Sequence, residues 1–317
     1  MKRLFVRAFV CICLFALLAG RRLPAQHLTL EGQTGGFITP TAYVVPSTEH
    51  HFFSFPAVGY HFVKADRVIG DVHTFNITEG FSNRAEIGYT REVHMTGNDP
   101  VFSQLWHFSG MNIVHGKVVL LKDGQFKTPV PGVAAGFVTR WDDKFVTGAL
   151  DQAFTGTLKN YTNADVYAAV TKTWAHKPLP FLANLGMKFT NASIYGIGGQ
   201  ATRFEGRLFG GLGFPLPGPL HTAIVPAAGF SQQPPTSKNL GAIMYPPGSR
   251  AHLPTTLDYA VRFTQRENPH FAFDAGVGQV AGMIGQTVVL GPGGVPVIIP
   301  VNLHARSVFG LGLSVRY

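Results

Sequence analysis

The chain has 317 residues, of which 45% are hydrophobic and only 14% charged, against about 25% charged in an average domain. That composition excludes a disordered chain. The formal net charge of +9 contains no cluster of five or more Lys/Arg, which excludes the basic footprint of a nucleic-acid-binding protein.

At the N-terminus, Lys2, Arg3 and Arg7 precede the apolar stretch Ala8 to Gly20, and Leu23-Pro24-Ala25 follows. This order predicts a secretory signal over 1–25, cut after Ala25. Arg21 and Arg22, between the apolar stretch and the cut, depart from the pattern, but thirteen apolar residues are short for a membrane anchor. Both cysteines, Cys11 and Cys13, lie in this segment, so no disulfide is expected in the mature chain. Removal of 1–25 also leaves 21 basic against 17 acidic residues.

Residues 26–50 read as a periplasmic or plug segment, with 34–46, including Pro40 and Pro46, folded inward ahead of the first strand. From 51 to 317 the pattern has a period of two, that of a strand with one apolar face. Twelve such segments fall near 51–62, 68–76, 84–95, 111–122, 131–142, 164–175, 180–191, 204–214, 220–231, 256–266, 270–281 and 305–317. In 256–266, Leu257, Tyr259, Val261 and Phe263 take one face and Asp258, Arg262, Thr264 and Arg266 the other. His50 and His51 are read as the start of the first strand. The longest apolar run, 287–301, is broken by Pro292, Pro296 and Pro300 and by three glycines. It therefore predicts no spanning helix.

The connections sort by parity. Those after even-numbered segments run from three to eight residues (77–83, 123–130, 176–179, 215–219, 267–269), and those after odd-numbered ones from twelve to twenty-four (96–110, 143–163, 192–203, 232–255, 282–304). Only 63–67 breaks the rule. A transmembrane barrel alternates short periplasmic turns with long external loops, whereas a Greek-key sandwich has no reason to do so. The last segment ends at the chain terminus with Phe309, Leu311, Leu313, Val315 and Tyr317 on one face. In hydrocarbon every backbone polar group must be paired, so the last strand has to close on the first. This closing strand also resembles the C-terminal signal read by the barrel assembly machinery, which usually ends in Phe.

Two stretches carry a family resemblance. "TGGFITPTAY" (Thr34 to Tyr43) resembles the opening motif of the exopolysaccharide-associated outer-membrane barrels and related barrels of unknown function. "NITEGFSNRAEIGYTR" (Asn76 to Arg91) is similar to their second hairpin, with its Arg-x-Glu-x-Gly strand. Weaker similarity continues through "KVVLLKDGQFKTPVPGVAAGF" and "DVYAAVTKTW". The resemblance implies a barrel and no particular activity. The lipoprotein cysteine that exopolysaccharide members often carry is absent.

Candidate chemistry is sparse. Asp71 and His73 share a face and offer two ligands, but a metal needs three or four, so no metal and no cofactor are expected. No G-x-S-x-G elbow or H-E-x-x-H is present, and the chain is read as non-enzymatic. The glycine clusters at 196–200 and 209–214 lack a phosphate-loop context and are read as relief of crowding in barrel strands. Asp71, Glu86, Arg140, Arg262, Asp274 and Arg316 are read as lumen-facing, because an outward charge at the membrane midplane costs about 2–4 kcal/mol for Arg or Lys.

These observations predict an all-β, antiparallel, up-and-down transmembrane β-barrel of about twelve strands (range ten to fourteen). Its expected place is the outer membrane of a Gram-negative bacterium, with lipid around it and both termini in the periplasm. Passage or export of a polar solute or saccharide, or a structural envelope role, is expected, the loops at 143–163, 232–255 and 282–304 shaping the outer mouth. The alternatives are a secreted soluble β-sandwich that binds a ligand and an outer-membrane hydrolase.

Overall fold

The computed structural model describes residues 27–47, 51–100, 102–103, 110–143, 161–174, 179–234, 244–266 and 270–316. The expected signal segment 1–25, most of the expected loop 143–163 and Tyr317 lie outside the described residues.

Two short strands, β1 (His27–Leu28) and β2 (Thr34–Gly35), pair with each other ahead of the main sheet. The sheet then follows as β3 (Ala57–Lys64), β4 (Asp71–Phe81), β5 (Ala85–Met95), β6 (Asn112–Leu121), β7 (Gly132–Asp143), β8 (Tyr161–Trp174), β9 (Phe181–Ala192) and β10 (Gln200–Gly213). After the two-residue β11 (Leu216–Pro217) it continues with β12 (Thr222–Ser231), β13 (Thr256–Gln265), β14 (Phe271–Gln279) and β17 (Val308–Arg316). Between the last two, β15 (Met283–Leu290) and β16 (Pro296–Asn302) make a separate hairpin. A single helical turn, α1 (Asp66–Ile69), joins β3 to β4.

Each sheet strand pairs antiparallel with its neighbour, and β17 pairs with β3 from Phe309 opposite Lys64 to Arg316 opposite Ala57. The ring is closed and has twelve strands. A sandwich of two open sheets is excluded by that seam. All twelve expected segments coincide in order with barrel strands, and the boundaries differ by a few residues. The largest offset is the first, where Pro56 precedes Ala57. A proline lacks the N–H that the ladder needs, so the strand begins after it, leaving exposed His51 outside.

The connections keep their parity. At the end where β3 begins and β17 stops they are three to ten residues long; at the other end those at 96–111, 144–160, 232–255 and 280–307 are sixteen to twenty-eight. The short ones at that end are 65–70 and 193–199. The sequence reading treats 282–304 as a loop, yet most of it forms the β15–β16 hairpin. Pro296 stands opposite Leu290 and Pro300 opposite Gln286; a two-stranded hairpin tolerates proline at ladder positions that need no N–H donor.

Alternation along each strand separates two surfaces. Phe75 and Ile77 of β4, Ile87 and Tyr89 of β5, Leu185, Met187 and Phe189 of β9 and Phe309 and Leu313 of β17 are exposed, while their neighbours Thr74, Asn76, Thr78, Glu86 and Thr90 are buried. Rings gather at the short-turn end: Phe52, Phe53 and Phe81 pack within 5.0–6.0 Å, and Trp174 stacks on Phe181 at 4.3 Å. An apolar outer wall with an aromatic girdle, and charge turned inward, is the surface of a barrel standing in an outer membrane. Among the described residues no helix is long and apolar enough to cross a membrane; here strands make the crossing.

Candidate functional site

Residues 27–47 lie inside the ring, most of them buried. Backbone in such a place must find partners, and the inward side chains of the wall supply them. His61 of β3 reaches the carbonyl of Leu28 at 3.1 Å. Asn76 and Thr78 of β4 donate to the carbonyls of Leu30 and Gly32 at 3.3 and 2.8 Å, and Thr90 of β5 to that of Glu31 at 2.9 Å. Thr171 of β8 accepts from the Ala42 amide at 2.8 Å. Asn184 of β9 donates to the Pro40 carbonyl at 2.9 Å. Gly32 has φ +92°, and a Cβ there would stand 2.6 Å from Thr90 Oγ1. Only glycine fits that bend.

Three basic residues, making four ion pairs, organise this interior. Glu86 of β5 and Lys117 of β6 are fully buried, with Nζ 3.0 Å from Oε1. The Glu86 carboxylate also accepts from the Thr34 amide (2.9 Å), the Thr34 hydroxyl (2.5 Å) and the Val45 amide (3.0 Å), while Lys117 donates to the Thr34 carbonyl at 2.8 Å. One pair thus fixes two points of the inner segment. Arg140 of β7 binds Glu31 Oε1 through Nε at 2.6 Å and Asp165 of β8 through Nη2 at 2.7 Å. Arg262 of β13 holds Asp274 of β14 in a bidentate pair (2.7 and 2.8 Å) and donates from Nη1 to the Gly35 carbonyl at 3.1 Å. Such charge-assisted bonds are about twice as strong as neutral ones.

Of the six residues singled out from sequence, the structure puts Glu86, Arg140, Arg262 and Asp274 in the lumen, and the first three contact the inner segment. Arg316 stands on the inner alternation of β17 at the short-turn end, where its carbonyl accepts from His270 Nδ1 at 2.9 Å. Asp71 is a correction. It shares the alternation of exposed Phe75 and Ile77, with Val72 and Thr74 buried on the other face, so it faces outward at the long-loop rim beside Lys64. The rim lets a charge reach water, which the midplane does not. His73 lies on the same outer face, its Nδ1 2.7 Å from the Tyr60 hydroxyl. Among the described residues no group of three or more His, Cys, Asp or Glu is arranged to hold a metal.

Phe309, Leu311, Leu313 and Val315 share the outer alternation of β17. The cluster at 209–214 lies mostly in β10, but 196–199 forms part of a loop that folds inward. There Ser193, Ile194, Tyr195 and Gly196 are buried and Lys188 sits 4.8 Å from the Tyr195 ring. Glu31, Lys117, Asp165, Thr171 and Asn184 were not singled out. Each of the four wall residues among them sits on the inner alternation, a signal present in the sequence; their contact with Glu31 and its neighbours was not.

No family model matches the chain, and no curated protein does. Solved structures similar to it include the KdgM porin, at 10% identity and a TM-score of 0.44 over 82% of this chain and 99% of that one. NanC porin is similar at 11% identity and 0.42 over 83% and 100%. The outer membrane protein Omp33 of Acinetobacter baumannii is similar at 9% identity and 0.42, over 84% and 99%.

Proposed function

We propose that this is a non-enzymatic outer-membrane barrel for passage of a polar solute or saccharide, with residues 27–47 as a plug that closes the lumen at rest. The observation that carries the reading is the set of bonds from that segment to inward residues of β3 to β9 and to Arg262, which fill the space a solute would cross. A barrel this size would otherwise enclose a polar lumen. The plug is held by side chains rather than by continuous sheet, so it can be withdrawn without breaking the ring. Thr34 of the first family-like motif and Glu86 of the second meet at the anchor of the plug, so both motifs serve the same contact.

Planar-bilayer conductance of the refolded protein tests this. The full chain is expected to show rare or small openings, and a variant lacking 27–47 that keeps a heat-modifiable gel mobility is expected to show large, steady steps. A silent deletion variant overturns passage; a full chain that conducts as freely as the deletion overturns the plug.

A further inference from the structure

The inner segment is bonded to β3–β9 and touches β13 through Arg262 and through His27, 3.2 Å from Thr264. Along β10 and β12–β14 several inward positions are small: Gly211, Ala227, Ala260 and Gly276. A small-residue wall alone is not a site. Here it borders two partly open cavities whose linings share Phe37, Asp258 and Ala260. The one toward the long connections is walled by Leu30, Ile38, Ile69, Ile194 and Val280.

Asp258 stands where the two meet. It is 9% exposed, and its Oδ1 has no hydrogen-bond partner. Its neighbours across the sheet are Gly229 and Gly278, and a Cβ on Gly229 would lie 2.2 Å from that oxygen. Arg262, two inward positions further along β13, directs Nε and Nη2 to Asp274 and Nη1 to Gly35. A buried carboxylate oxygen without a hydrogen bond is costly, and this one borders a largely apolar cavity.

We propose that this cavity binds a small apolar amine, its ammonium on Asp258 and its hydrocarbon body between Phe37 and the aliphatic wall. An ammonium supplies a positive charge and up to three donors, one of them for the unbonded Oδ1. An anion would meet the carboxylate's repulsion, and a polyol would leave most of its hydroxyls against aliphatic side chains. The site stands whether or not solute crosses the barrel.

Calorimetric titration of the full chain in detergent, with phenethylamine and with uncharged phenethyl alcohol, tests it, empty micelles being the blank. The amine is expected to bind roughly tenfold more tightly than the alcohol. Asp258→Asn is expected to abolish that preference, and Ala260→Leu, which fills the shared space, to weaken both ligands. Equal affinity for amine and alcohol, absence of binding, or a preference that survives in Asp258→Asn overturns the proposal. Should Asp258→Asn not fold, Ala260→Leu decides: unchanged amine binding in that variant overturns it equally.

Discussion

Glu86 and Lys117 are both withdrawn completely from water, where each ion alone would be destabilising by several kcal/mol. What makes the pair tolerable is that their remaining lone pairs and protons are used by Thr34 and Val45. Lys117→Met leaves the carboxylate uncompensated and is expected to cost about 3–5 kcal/mol, read as an earlier urea midpoint by tryptophan fluorescence. Combining it with Glu86→Gln should restore much of the stability while leaving the plug loose, so that bilayer openings increase. Asp71 is the contrasting case. Outward and at the rim, it makes none of these contacts, and Asp71→Asn is expected to move the midpoint by less than about 0.5 kcal/mol. A drop comparable to that of Lys117→Met would contradict the placement of Asp71.

At the scale of elements, strands were legible because lipid outside and polar lumen inside impose a period of two on nearly every one of them. Leu257, Tyr259, Val261 and Phe263 of β13 announce an outer face without reference to any other strand. The inner segment carried no such signal. Thr34 meets Glu86 52 positions away, and Pro40 meets Asn184 144 away; its partners are set by barrel register, which periodicity does not give. Asp71 was misassigned because polarity stood in for position: counting from buried Val72 puts it outside. The β15–β16 hairpin lies in a stretch read as a connection, its prolines weighed only against a spanning helix. The two faces give a sharp prediction. Leu185, 57% exposed near the middle of β9, should lose about 2–4 kcal/mol as Leu185→Arg, whereas Leu185→Phe should be nearly neutral. Equal midpoints for the two variants would mean that lipid does not contact this face.

For the whole molecule, closure at one seam decides whether the polar network has an interior to occupy. If β17 and β3 were free edges, sixteen or so backbone groups would be unpaired in hydrocarbon, each costing several kcal/mol, and the inner segment would face open water. The seam can be locked. Tyr60 and Leu313 are directly opposed across it and both lie on the outer alternation, at a separation typical of cross-strand neighbours that a disulfide can span. The only native cysteines, Cys11 and Cys13, fall within the expected signal, so Tyr60→Cys with Leu313→Cys introduces the sole pair into the processed chain. Mild oxidation in a membrane is expected to cross-link it nearly completely, giving a barrel that keeps its folded gel mobility after boiling unless reductant is added. A control pair, Leu185→Cys with Leu313→Cys, lies on strands separated by several others in the ring and should remain as free thiols. If the seam pair reacted no faster than the control, the strands would not form a ring, and the plug, the cavity and Asp258 would all lose the enclosure on which their chemistry depends.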